Sequence, residues 1–126
     1  MGILNFDEPF ERLFNQGTII KGGSKMSKSR GNVVAPDEYV SHMGADVVRA
    51  YLMFIGPWEQ GGEWSDTGIN GVARWLNRLW DLLAEGTYSS QGSINPEAHR
   101  DLQRNLHKTI KKTSDDIENF KYNTAI

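Results

Sequence analysis

The sequence predicts a mostly α-helical fold with one or two short strands and a mobile loop. Three observations carry this expectation. Two stretches, Ile69 to Leu83 and Leu102 to Phe120, repeat apolar side chains at helical spacing. A β-branched run, Thr18-Ile19-Ile20, reads as a strand. Between residues 21 and 32 periodicity disappears, and Gly, Ser and Asn mark turns.

Taken in order, Asp7 is a candidate N-cap with Glu8 and Pro9 in the first turn. Phe10, Leu13 and Phe14 then share one face of a helix that Gly17 ends. The Thr18–Ile20 strand leads into Lys21-Gly22-Gly23-Ser24-Lys25-Met26-Ser27-Lys28-Ser29-Arg30-Gly31-Asn32, which holds four basic residues and no acid. Pro36 opens a short helix, with Asp37 and Glu38 suited to its positive end, and Gly44 stops it. Asp46 begins another, through Val47, Val48, Tyr51, Leu52 and Ile55, until Gly56-Pro57 breaks it. Trp58 to Asp66 is Gly-rich and acidic, and residues 58–68 read as a connection.

Ile69, Val72, Ala73, Leu76, Leu79, Trp80 and Leu83 form one apolar stripe, which places Trp80 in a core, and Gly86 can close the helix. Thr87 to Pro96 reads as a loop. A second amphipathic helix follows through Leu102, Leu106, Ile110, Thr113, Ile117 and Phe120. Two such helices need a further partner to bury both stripes. The pattern predicts a truncated antiparallel helical bundle that ends abruptly at Thr124-Ala125-Ile126.

Composition narrows the function classes. At 126 residues there is room for one ordinary domain or two small pieces of a larger one. No stretch approaches the roughly 18 consecutive apolar residues of a membrane span, and the first residues lack the layout of a signal peptide. Zero cysteines exclude a disulfide framework and suit a reducing, cytoplasmic setting. The net charge of −2 argues against a strongly basic nucleic-acid module, but the charge is uneven: +2 over residues 1–30, −5 over 31–66 and +1 over 67–126. Any anion site is therefore local.

That directs attention to residues 21–32. Gly17 and Gly22 have the glycine spacing of a Walker A loop, but Gly23 stands where its lysine belongs, and no Gly-x-Gly-x-x-Gly occurs. In Lys25-Met26-Ser27-Lys28-Ser29, two ammonium groups sit three residues apart on a Gly-flanked loop with hydroxyls between them and Arg30 beside them. Such a loop can close over a polyphosphate, with amides and hydroxyls as donors and lysines as point charges. On charge composition alone, a solvated basic turn or a fragment of a localisation signal is the better reading.

The letters themselves go further. Lys25-Met26-Ser27-Lys28-Ser29, followed by Arg30-Gly31-Asn32-Val33-Val34, resembles the signature loop of class I aminoacyl-tRNA synthetases. Gly44-Ala45-Asp46 with Arg49 resembles the segment that follows it in the class Ia subgroup. Tyr51 to Pro57, Glu63-Trp64-Ser65-Asp66, Gly71 and Leu76-Asn77-Arg78-Leu79-Trp80 are most similar to the leucyl-tRNA synthetase family. The methionyl and valyl families share the loop but differ across Met53 to Asp66. Leu106 to Ile110, Asp115-Asp116-Ile117 and Asn123 to Ile126 resemble the start of the leucyl family's anticodon-binding helical domain.

The resemblance implies an enzyme that activates leucine with ATP, accompanied by Mg²⁺, and transfers it to tRNA(Leu). It implies that residues 1–57 end a Rossmann-type catalytic domain, and that 69–126 supply the first two helices of the anticodon-binding domain. Lys25 and Lys28 would be catalytic, stabilising the pyrophosphate leaving group, and Lys25, Met26, Ser27, Lys28 and Ser29 would bind ATP. The family's His-Ile-Gly-His motif, leucine pocket and editing domain lie upstream of these residues and are not in this chain. The fragment alone is therefore expected to be inactive, to hold no metal and to bind tRNA weakly if at all. A different class, a non-catalytic helical RNA-binding or docking module retaining the loop, is the alternative.

Other residues carry less. His42, His99 and His107 lack metal-site spacing. Arg49 suits neighbouring acids as well as RNA. Trp58, Trp64, Trp75 and Trp80 invite base stacking, but Trp80 shares the Leu76–Leu83 stripe. Arg74, Arg78, Arg100, Arg104, Lys108, Lys111 and Lys112 can reach tRNA phosphates, yet acids share both helices and point to solvated faces.

Overall fold

A computed structural model describes residue 3, residues 5–84 and residues 95–126. Strands are β1 (Thr18–Lys21), β2 (Ser24–Lys25) and β3 (Gly61–Glu63). Helices are α1 (Pro36–Met43), α2 (Ala45–Phe54), α3 (Ile69–Ala84), α4 (Pro96–Glu118) and α5 (Tyr122–Ala125), with a single 3₁₀ turn at Lys28–Arg30. The described residues are thus mostly helical around a three-stranded sheet of order β2-β1-β3.

β1 and β2 form a hairpin in which Lys21 faces Ser24, leaving Gly22-Gly23 as a two-residue turn. Both glycines have positive φ, 62° and 68°, as the mirror-image turns that match strand twist require. β3 pairs with β1 in parallel, Thr18 opposite Gly61 and Ile20 opposite Glu63, and α1 and α2 provide the crossover. The Trp64 N–H extends the ladder by donating to the Ile20 carbonyl at 2.7 Å.

α1 begins at Pro36 with Asp37 and Glu38 in its first turn, and Gly44 closes it through an N–H bond to the Val40 carbonyl. α2 buries Val47, Val48 and Tyr51 against Trp64, Ile69 and Val72, with Ile69 fully enclosed. Ile19 and Met26, from β1 and the loop, pack on the same cluster, so the core lies directly under the hairpin. Asn95 caps α4, its side-chain oxygen accepting from the Glu97 and Ala98 N–H groups.

Four expectations need correction. Residues 7–16 form no helix: Phe10 and Leu13 are more than 80% exposed, and a ten-residue segment with nothing to bury is too short to hold a helix alone. Its Phe14 instead stacks on Phe120, with ring centroids 4.5 Å apart. The connection 58–68 contains β3, hidden from sequence reading by its Gly-Gly-Glu composition. Phe120 is outside the α4 stripe, because the helix ends at Glu118 and Phe120 adopts φ 58°. Trp80 is 71% exposed, not core. Gly86 and residues 87–94 of the loop expected at 87–96 lie outside the described residues, and Pro96 belongs to α4.

Trp80 is exposed because α3 and α4 do not pack along their lengths among the described residues, and the Leu102, Leu106, Ile110 and Ile117 stripe is open as well. The surface measures 10683 Å², whereas a compact monomer of this mass would expose roughly 6,800 Å². α5 ties α4 to the rest: Tyr122 lies edge-on to Trp58 at 5.3 Å and to Phe120 at 5.9 Å.

Candidate functional site

The basic segment is a built loop, fixed at its base and open at its tip. Beyond the Gly22-Gly23 turn, Ser24 is half-buried, Lys25 is exposed, and Met26 turns down onto the core. Met26 lines an apolar cavity of about 190 Å³ together with Ile19, Val34 and Trp64. Ser27 is extended, at φ −150° and ψ 137°, and the 3₁₀ turn follows, with the Arg30 N–H donating to the Ser27 carbonyl and the Gly31 N–H to that of Lys28.

Asn32 closes the loop. Its Oδ1 accepts from the Ser27 N–H at 2.8 Å, and its Nδ2 donates to the Lys21 and Lys25 carbonyls at 3.1 and 3.2 Å. One side chain thus satisfies three backbone groups, at the base, the strand end and the turn. The Ser27 and Ser29 hydroxyls lie 2.8 Å apart. The side chains of Lys25, Lys28 and Arg30 are exposed and have no hydrogen-bond or ion-pair partner among the described residues.

Lys21 is treated differently. Its Nζ lies 3.1 and 3.2 Å from the two carboxylate oxygens of Asp66. Asp66 Oδ1 also accepts from the Tyr39 hydroxyl at 2.5 Å and from Trp64 Nε1 at 2.8 Å. The Tyr39 and Trp64 hydrogen bonds, followed by that of Lys21, hold the Asp66 carboxyl down at about 2. The Tyr39 phenol is raised, first by its bond to Asp66 and then by burial. Trp64 sits edge-on between Tyr39 and Tyr51, at 4.9 and 5.1 Å. Glu63 adds a second tether, its Oε1 accepting from the Gly23 N–H at 3.0 Å.

The structure therefore gathers Lys25, Met26, Ser27, Lys28 and Ser29 on one loop, with the hydroxyls paired, the lysines outward and Met26 inward. Sequence reading missed the supports Lys21, Asn32, Tyr39, Glu63 and Asp66. Only Asn32, just after Arg30-Gly31, had a local signal, since Asn favours bonding to nearby backbone. Elsewhere, Arg49 pairs with Asp46 at 3.1 Å. On α4, Lys111 pairs with Asp115, and Lys112 with Asp116, whereas Arg100, Arg104 and Lys108 have no ion pair among the described residues. No group of three or more His, Asp or Glu side chains is placed to hold a metal among the described residues. No described helix is long and apolar enough to cross a membrane.

A parallel βααβ unit that carries an anchored basic loop is the context in which the comparisons fall. Residues 3–64 match the family model described as tRNA synthetases class I (I, L, M and V). Over all 126 residues it is 56% identical to the leucine–tRNA ligase of Dehalococcoides mccartyi. Over 127 aligned positions it is 51% identical to that of Rubrobacter xylanophilus. It superposes with a TM-score of 0.79 and 36% identity on the Agrobacterium radiobacter LeuRS in a LeuRS–tRNA–LeuAMS ternary complex, covering 95% of this chain and 17% of that one. These relatives are named leucine–tRNA ligases, and it is to them that the chain is similar within the class. It spans about 15% of the length of the curated relatives it matches.

Proposed function

We propose that the chain supplies a leucyl-tRNA synthetase with the loop that assists departure of pyrophosphate when leucine is activated. In that reaction a leucine carboxylate oxygen attacks the α-phosphorus of ATP and forms leucyl-adenylate. The bond between the α-phosphorus and its bridging oxygen breaks, and the electron pair leaves with pyrophosphate. Negative charge grows on the leaving group, so cations meeting it at that moment lower the barrier. The observation that carries the reading is the exposure of Lys25 and Lys28 on a tip otherwise held by Asn32 and Met26.

The loop has no carboxylate, and Glu63 and Asp66 beside it already accept from Gly23 and from Lys21, Tyr39 and Trp64. These residues therefore do not form a site for the magnesium that accompanies ATP. Residues 1–57 fit the end of a Rossmann-type catalytic domain. The open stripes of α3 and α4 fit two helices of an anticodon-binding bundle whose other members lie elsewhere in the synthetase, with tRNA(Leu) as partner.

A Lys–phosphate pair about 4 Å apart at an effective dielectric of about 20 attracts by roughly 4 kcal/mol before desolvation. If most of this arises only in the transition state, Lys28→Ala slows adenylate formation by about 10²–10³ with little change in ATP affinity. The test is pre-steady-state leucyl-adenylate formation in a leucyl-tRNA synthetase carrying this segment. A wild-type rate for Lys28→Ala would return the loop to a basic surface turn.

A further inference from the structure

The loop has two ends, and both meet at Lys21. The Lys21 carbonyl accepts from Asn32 Nδ2, which brings the far end of the loop back to its start. The Lys21 ammonium is held by Asp66, and Asp66 is held in turn by Tyr39 of α1 and by Trp64, which is packed in the core. A chain closed on one fixed point can move its tip only as a pivoting unit. Asp66 also withdraws the first lysine of the segment from competition for an anion, leaving Lys25, Lys28 and Arg30 as the exposed charges with no ion-pair partner among the described residues. The Lys21 and Asp66 side chains are 33% and 56% exposed, and ion pairs so open contribute little to folding. Stability of the fold is therefore a poor account of why three groups converge on one carboxylate.

We propose that Asp66 is a positioning residue for leucine activation: through Lys21 it fixes the pivot about which the loop delivers Lys25 and Lys28 to the departing pyrophosphate. Resting on the function proposed above, the assignment adds a residue outside the loop and 45 positions from the lysine it holds.

The test uses a leucyl-tRNA synthetase carrying this segment and compares Asp66→Asn, Lys21→Met and the double variant. Asparagine keeps an acceptor for Tyr39 and Trp64 and loses the charge that holds Lys21. Single-turnover adenylate formation should slow by about tenfold in each single variant, the scale expected when reacting groups are misplaced by a fraction of an ångström. The ATP KM should move far less. The double variant should be no slower than either single one, because both remove the same tether. Hydrogen exchange should rise over residues 21–32 and stay unchanged over α2. Asp46→Asn, which breaks the more exposed pair with Arg49, should change neither readout.

A wild-type rate for Asp66→Asn overturns the assignment. So does unchanged exchange over the loop, or a double variant slower by the product of the two single effects. Lys28→Ala, measured alongside, separates the two readings. A slow Lys28→Ala beside a fast Asp66→Asn removes only the positioning role, whereas a fast Lys28→Ala removes the loop's function and the positioning role with it.

Discussion

Gly61 offers the sharpest structural perturbation, because two independent costs fall on one methyl group. Its φ is +76°, and a Cβ built there would lie 2.2 Å from the Thr18 carbonyl oxygen and 2.7 Å from the Thr18 nitrogen. The left-handed backbone costs an L residue roughly 1–2 kcal/mol. The overlap is with backbone, which cannot rotate away, so β1 and β3 must separate, at about 1–3 kcal/mol by comparison with other overpacking substitutions. Gly61→Ala should therefore weaken the β1–β3 ladder by about 2–5 kcal/mol, a 30- to 5,000-fold loss of amide protection at roughly 1.4 kcal/mol per tenfold. The reporter is the Trp64 amide, which donates to the Ile20 carbonyl. Gly22→Ala is the matched control: φ is +62°, but nothing lies within 4 Å of its added methyl. It should cost only the backbone term and act on the hairpin turn. Because Asp66 follows β3 closely, Gly61→Ala should also slow adenylate formation. Hydrogen exchange by mass spectrometry on a synthetase carrying each variant gives the comparison. Equal protection of Trp64 in Gly61→Ala and Gly22→Ala would refute the argument that close strand approach dictates glycine at position 61.

The remaining predictions are these. Among loop variants, adenylate formation should fall most for Lys28→Ala, somewhat less for Lys25→Ala and least for Ser27→Ala, since a hydroxyl supplies one neutral hydrogen bond; rapid-quench kinetics ranks them. The 126-residue chain alone should give no leucine-dependent ATP–pyrophosphate exchange, and exchange above background from a clean preparation would contradict its role as one part of a site. Its tRNA binding should be strongly salt-dependent, with Kd of roughly 10⁻⁴ to 10⁻⁶ M near physiological salt, as a titration across salt concentrations would record. Asp66 should titrate near 2 by carboxyl NMR, and Tyr39→Phe should raise it more than Lys21→Met does, because the phenol bond is the largest cause. Its folded value lies below the ordinary 3.8, so the tether it stabilises is fully present above that pH and is lost as pH falls through about 2.

The chemistry-bearing part of this chain is legible because it is local. Lys25 to Ser29 are adjacent, glycines flank them, and helices such as α2 and α3 declare themselves by apolar spacing over several turns. What supports the loop is not local. Lys21 and Asp66 are 45 residues apart, and Tyr39 and Asp66 are 27 apart. They meet only because β3 pairs in parallel with β1, and β3 is two glycines and a glutamate, a sequence with almost no strand propensity of its own. The expected helix at 7–16 fails for the reverse reason. Its local signals are sound, but no surface of the described structure accepts Phe10 and Leu13, and amphipathic spacing stabilises a helix only when its apolar face is covered. The exposure of Trp80 on a faultless stripe has the same cause.

The uneven charge of the sequence acquires a structural meaning here. The acidic stretch from 31 to 66 does not dilute the basic loop, because its two nearest carboxylates are spent at fixed points: Glu63 on the Gly23 amide and Asp66 on Lys21. Both come from β3 and its exit, on the opposite side of β1 from β2, where Lys25 leads into the tip. Negative charge thus holds the base, while Lys25, Lys28 and Arg30 have no ion-pair partner among the described residues. A cation already paired with a carboxylate must give up that partner before it can stabilise a phosphate, and the exchange cancels most of the gain. An unpaired one needs only to shed water, so its attraction survives to act on charge that develops during the reaction. Lys21 is chemically identical to Lys25 and Lys28 and belongs to the same basic run. What separates an anchoring lysine from two free ones is the strand pairing that brings Asp66 to the first and leaves the others alone.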